Sequence, residues 1–178
     1  MSFQALPLNL VNANDAAFRK QQILLGTLTK VESVFSNYSL GPDVQAIVAK
    51  AVTTPDNLVW EAWREQGTKV VDFVGILRLS KVLPGCDATA DYFFFDGKLR
   101  DKTDLLERWM QWAFVDHPGW QRLQRLTIEA PVRAHALIRH AKRHLGFQEE
   151  GLKRKGVIWR GDFHDLVILG RTNAEQER

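Results

Sequence analysis

A single cysteine, Cys86, occurs among 178 residues, which excludes an internal disulfide framework and any metal site built from clustered thiolates. No run of eighteen apolar residues is present, so no bilayer-spanning helix is expected. The first residues carry no basic stretch followed by an apolar one, so a secretory leader is not expected either, and the expected location is cytoplasmic. Internal repeats and low-complexity stretches are also missing. His140 and His144 have the i, i+4 spacing of a chelating pair, but Ala141-Lys142-Arg143 lies between them with no glutamate, so no metal site is expected.

What remains suits one globular domain over 1–178, with a core over roughly 5–172 and a polar tail at 173–178. At 45% apolar residues the chain can bury a core without staples. The formal net charge is +3, and the cations crowd the last third: Arg133, Arg139, Lys142, Arg143, Lys153, Arg154, Lys155, Arg160 and Arg171. A cationic surface attracts polyanions, whether nucleic acid, acidic protein or a phosphorylated cofactor. No zinc-finger or helix-turn-helix pattern accompanies it, and nucleic acid stays open as a partner.

Leu6 to Val11 alternates around Pro7 and reads as an edge strand. Asp15 to Phe35 carries apolar residues at helical spacing broken by Gly26, and Val44 to Val52 is a second, shorter helix. Leu58 to Arg64 and Val70 to Leu79 are strands joined through Glu65-Gln66-Gly67-Thr68, an antiparallel hairpin. Leu83 to Ala88 reads as a loop. Asp91 to Phe95 is an aromatic strand closed by the turn Asp96-Gly97. Thr103 to Trp112 is a helix with Leu105, Leu106, Trp109, Met110 and Ala113 on its apolar face. Leu126 to Ala130 is a strand ended by Pro131, and Ala134 to Leu145 a helix stopped by Gly146. Phe147 to Trp159 and Asp162 to Leu169 are the last two strands, joined at Arg160-Gly161. The order β-α-α-β-β-β-α-β-α-β-β predicts an α/β domain: a mixed, mostly antiparallel sheet of about seven strands with helices on both faces.

That order resembles the GNAT fold, the Gcn5-related N-acetyltransferase superfamily. The likeness is most specific at the end. Leu145-Gly146-Phe147-Gln148-Glu149-Glu150-Gly151 is similar to the leucine-glycine-phenylalanine, glutamate-glycine joint of the ribosomal-protein alanine acetyltransferase branch. Gly161-Asp162-Phe163-His164-Asp165, with His164 eighteen residues beyond Gly146, is similar to that branch's turn into its last strand. The resemblance implies a fold that takes acetyl-coenzyme A and passes its acetyl group to an amine acceptor, such as a protein N-terminus or a small amine.

Such transfer makes three demands: a hold on the pyrophosphate, a hydrogen-bond donor for the thioester oxygen, and a route for the amine's proton. The family's pyrophosphate loop has the pattern Arg/Gln-x-x-Gly-x-Gly/Ala. Here the corresponding loop reads Asp96-Gly97-Lys98-Leu99-Arg100-Asp101-Lys102-Thr103, in which only Gly97 is kept. Gly97, Lys98, Arg100, Lys102 and Thr103 are the expected cofactor residues, with Asp101 or Thr103 capping the helix that follows. Phe94 and Phe95 complete the cofactor set, because the family splays two parallel strands apart there. The family's frequent asparagine falls on His135 and its proton-donating tyrosine on Lys142; Glu129, at the carboxyl end of its strand, is the candidate base acting through water. His164 and Asp165 are further candidates, while His140 and His144 are expected on an exposed basic face. The six tryptophans, Trp60, Trp63, Trp109, Trp112, Trp120 and Trp159, mostly fall at core-facing periods and read as packing.

The eroded glycine loop and the changed proton-handling positions also fit a second reading. In it the chain is a catalytically inactive GNAT-like protein with a structural or regulatory role, such as a bacteriophage virion or assembly component. Its partner would be a protein, a homo-oligomer or a larger assembly, with no membrane involved.

Overall fold

The strand-forming runs are realised as strands, and several are longer than their sequence pattern suggests. A computed structural model describes residues 2–7, 58–66, 69–94, 98–116, 122–159 and 162–173. The strands are β1 (Ser2–Pro7), β2 (Leu58–Gln66), β3 (Lys69–Leu83), β4 (Asp87–Phe94), β5 (Arg125–Pro131), β6 (Gln148–Trp159) and β7 (Asp162–Thr172). The helices are α1 (Thr103–Gln111) and α2 (His135–His144). The seven strands form one sheet in the order β1-β2-β3-β4-β5-β7-β6. The helices expected at 15–35 and 44–52 lie outside the described residues.

The chain divides into two compact units, Met1–Leu79 with Asp91–Gly97 and Ile158–Asp162, and Ser80–Ala90 with Lys98–Val157 and Phe163–Arg178. In the first unit β1 pairs antiparallel with β2 from Ser2↔Glu65 to Pro7↔Trp60. Of the strand expected at Leu6–Val11 only Leu6 and Pro7 lie within the described residues, and both belong to β1, on which Phe3 is buried. The edge position is as expected. The β2–β3 hairpin is antiparallel, with register shifts between Ala62/Trp63 and Arg64/Glu65. Such bulges bend and twist a long strand pair. Val59, Trp60, Glu61 and Ala62 are all buried, and the buried Glu61 carboxylate accepts from Trp63 Nε1 at 2.9 Å. Arg78 on β3 donates from Nε to Asp91 on β4 at 2.9 Å.

In the second unit the expected loop Leu83–Ala88 shrinks to a turn, Pro84 to Cys86, because β3 runs on to Leu83 and β4 already begins at Asp87. Gly85, at φ 72°, allows the tight reversal, and Cys86 N–H closes it on Leu83 O at 3.0 Å. The Cys86 carbonyl then accepts from Gln124 and Arg125 N–H, which sets the start of β5 beside β4. The β4–β5 ladder is parallel, as βαβ connectivity requires, but covers only Asp87↔Arg125, Ala88↔Leu126 and Thr89↔Thr127. On its other side β5 pairs antiparallel with β7 along its whole length, Arg125↔Thr172 to Pro131↔Leu166.

The helix predicted from Thr103 has the predicted inner face: Leu105, Leu106, Trp109, Met110 and Ala113 are all buried. A 3-10 turn, Leu99–Lys102, leads into it and a π turn, Trp112–Asp116, leads out. From β5 the sheet contributes Leu126, Ile128 and Ala130, all buried, while Arg125 and Glu129 on the opposite face stay half-buried. Helix α2 ends as its sequence suggests. Gly146 sits at φ 68°, the left-handed conformation that stops a helix, and Leu145 N–H and Phe147 N–H both reach back to Ala141 O at 3.2 Å.

Candidate functional site

Of the loop expected to carry the phosphates, Lys98 to Thr103 lie within the described residues, whereas Phe95, Asp96 and Gly97 do not. Lys98 and Arg100 are exposed cations. Lys102 is 1% exposed, so it is an interior residue rather than a third cation on the loop surface. The 3-10 geometry explains the difference: a tighter winding turns successive side chains by about a third of a turn, and this one directs position 102 inward. Its backbone is satisfied from within, with Asp101 N–H on Lys98 O at 3.1 Å and Thr103 N–H on Arg100 O. The expected side-chain cap does not form. Lys102 occupies the N-cap position of α1 without a capping bond, and the Thr103 hydroxyl donates backward to Arg100 O at 2.9 Å.

The same hydroxyl lies 3.0 Å from His140 Nε2. Thr103 has one hydroxyl hydrogen, and the Arg100 carbonyl can only accept, so that hydrogen is committed to Arg100. The hydrogen in the second bond therefore belongs to His140, whose Nε2 is the donor. Its Nδ1 is buried with no hydrogen-bond partner among the described residues. Burial, and then the neighbouring His144 ring 5.3 Å away, hold the His140 pKa below the usual imidazole value. The exposed basic face expected for both histidines thus holds for His144 alone; His140 is 6% exposed. The signal for its burial was available in the helical spacing. His140 stands three residues after Leu137 and next to Ala141, beside the apolar stripe Leu137, Ala141, Leu145 that turns inward along α2.

The proton-handling candidates are dispersed. Glu129 is half-buried and paired with Lys81 at 3.4 Å and Lys153 at 3.8 Å. Lys81 reaches it from a left-handed residue of β3, φ 51°. Lys142 is exposed and bound to Glu149 at 2.8 Å, so its ammonium points along the α2 surface to the start of β6. His135 is exposed at the first turn of α2. Asp165 holds the backbone of β6 by accepting from Lys155 N–H at 2.8 Å, and His164 is half-buried on β7. Phe94 is half-buried in the first unit, 6.1 Å from the ring of Tyr92. The packing role expected for the tryptophans holds for Trp60 and Trp109, which are buried; Trp63 and Trp112 are half-buried, and Trp120 lies outside the described residues.

Sequence placed Arg171 among the cations of the last third but gave it no role of its own. Its Nη1 bonds both Glu107 oxygens, at 2.9 and 3.0 Å, and Leu145 O at 2.8 Å, and its guanidinium lies 5.8 Å from the Phe114 ring centre. On the other face of β5, Arg125 pairs with Glu150 and Thr127 donates to Asp87 at 3.1 Å. Glu150 lies over Gly170, where any Cβ would run into its carboxylate.

No family model and no curated protein matches the chain in sequence. Solved structures match it in fold. A probable GNAT-family acetyltransferase from Chromobacterium violaceum superposes with a TM-score of 0.72 at 18% identity, over 100% of this chain and 86% of its own. The ribosomal L7/L12 alpha-N-protein acetyltransferase RimL, in complex with coenzyme A, gives 0.67 at 16% identity, over 97% of this chain and 94% of its own. The spermidine N-acetyltransferase of Vibrio cholerae, in complex with coenzyme A and spermine, gives 0.64 at 14% identity, over 99% and 98%. The expected fold is therefore the observed one.

Proposed function

We propose that this chain, which has the fold of the Gcn5-related N-acetyltransferases, is an N-acyltransferase using acetyl-coenzyme A and an amine acceptor. The observation that carries the reading is the three-pair parallel ladder between β4 and β5. Among the described residues it covers only Asp87↔Arg125 to Thr89↔Thr127, although β4 runs on to Phe94 and β5 to Pro131. So short a ladder between two longer strands suits an extended, amide-containing ligand. The donor set also fits a pyrophosphate. Lys98 and Arg100 are exposed cations at the entry to α1. Acetyl-coenzyme A, when bound, supplies the activated acetyl group. The chain's own part is to hold the phosphates at Lys98 to Arg100 and to take the amine proton, with Glu129 or the exposed His135 as the acceptor of that proton.

Two contacts favour the inactive reading as a second one. The Lys142 ammonium is tied to Glu149, and the Glu129 carboxylate is paired with Lys81 and Lys153, so both candidates are already engaged in ion pairs. In that case the fold serves as a binding module, within a larger assembly such as a virion. Calorimetric titration with acetyl-coenzyme A separates the two readings. Micromolar binding is expected for the enzyme, and no binding at millimolar ligand overturns it.

A further inference from the structure

The buried imidazole of His140 is used by none of the steps above, yet it touches the loop on which they depend. We infer that His140 is a positioning residue for the phosphate-holding turn: it braces Thr103, and through Thr103 the Arg100 carbonyl, against α2. The inference rests on the acyl-donor reading of that turn.

Three observations lead to it. First, the bonds form a chain with one direction, His140 Nε2–H to Thr103 Oγ1 at 3.0 Å and Thr103 Oγ1–H to Arg100 O at 2.9 Å. Each donor is committed, so the relay cannot reverse without leaving the Arg100 carbonyl with one bond fewer. Second, the Arg100 carbonyl also accepts the Thr103 N–H that closes the 3-10 turn, so the brace acts on the hydrogen bond that gives the turn its shape. Third, His140 is a polar ring held inside α2 with its Nδ1 buried and unbonded among the described residues. A polar atom left so is costly, and an apolar side chain of similar size would pack there without that cost. The ring's remaining bond is the one to Thr103, which is what the position gains from being histidine.

The brace matters because the turn has little other support. It has no glycine-lined cradle over the described positions, Lys102 inside it is committed to the interior, and α1 begins without a side-chain cap. Holding Lys98 and Arg100 in one arrangement before a polyanion arrives removes an ordering cost from binding.

The test uses the full chain with His140→Leu, His140→Gln, Thr103→Val and Thr103→Ser. Glutamine can present an amide N–H near the position of the imidazole Nε2, and serine keeps the hydroxyl. Backbone amide exchange of Leu99 to Asp104 is read without ligand, and the coenzyme A dissociation constant by calorimetry. Faster exchange in this segment and a roughly five- to tenfold weaker Kd are expected for His140→Leu and Thr103→Val, with both restored in His140→Gln and Thr103→Ser. The double variant should be no worse than either single one. A purely structural role would instead make His140→Gln as poor as His140→Leu, and that result overturns the inference. So does wild-type Kd in Thr103→Val, which keeps the side-chain shape and serves if His140→Leu does not fold. If the wild-type chain binds no coenzyme A, the acyl-donor reading fails and the inference with it, while the exchange data still report whether the brace exists. If the wild type binds and all four variants bind equally, the inference alone fails.

Discussion

Arg171 on β7 donates to the carbonyl of Leu145, the residue before the glycine that stops α2, at 2.8 Å, while the same nitrogen grips Glu107 of α1. A guanidinium at a helix C-terminus meets both the unpaired carbonyls and the negative end of the dipole. Arg171→Met should therefore destabilise the chain by about 2 kcal/mol, the range for hydrogen bonds to a charged group. Glu107→Gln should cost about 0.5 kcal/mol, because that carboxylate is 38% exposed and its ion pair is screened. Urea denaturation of both variants measures the order; equal losses would mean that the ion pair, and not the helix end, is what Arg171 serves.

Gly146 at φ 68° tests the helix end from the other side. Among the described residues a Cβ there would meet only Arg171 Nε at 3.9 Å, so the backbone angle is the constraint. Gly146→Ala should cost about 1 kcal/mol from the left-handed conformation alone. Thermal unfolding checks it, and an unchanged melting temperature would argue against the left-handed cap.

Much of this was legible in the sequence because it depends on local chemistry. The inner face of α1, the glycine stop of α2 and the order of the described elements all follow from periodicity and from residues that punctuate the chain. The Thr103–His140 bond joins residues 37 positions apart, and the Lys81–Glu129–Lys153 group draws on three strands, so nothing in a local window announces either. The inward turn of Lys102 was missed for another reason. A 3-10 lead-in and an α-helical first turn share a composition but aim their side chains differently.

Stability should depend on pH through His140. Its folded pKa lies below the unfolded value of about 6.5, so below that pH the unfolded chain binds a proton that the folded chain refuses. Stability is full above about pH 6.5, falls as pH drops below it, and levels off once pH passes the folded pKa. His140→Gln should flatten this part of the profile. Denaturant midpoints between pH 7 and 5 measure it, and an unaltered slope in the variant would assign the dependence to another group.

The enzyme reading is tested most directly at Glu129. If it takes the amine proton, Glu129→Gln should lower kcat at least a hundredfold, on the order of the general-base contribution, with little change in KM. An unchanged kcat would transfer the role to His135.

The left-handed kink at Lys155 has a consequence for how the molecule behaves among its own copies. β6 ends the strand order, where a straight edge would offer its open backbone to another sheet. At φ 51° Lys155 bends that edge and turns its N–H to the Asp165 carboxylate, amid the exposed cations Lys153 and Arg154. A second copy approaching this side would meet a broken ladder and like charge. A bent, cation-lined strand of this kind is a poor template for pairing with another sheet, whatever anion its cations also attract.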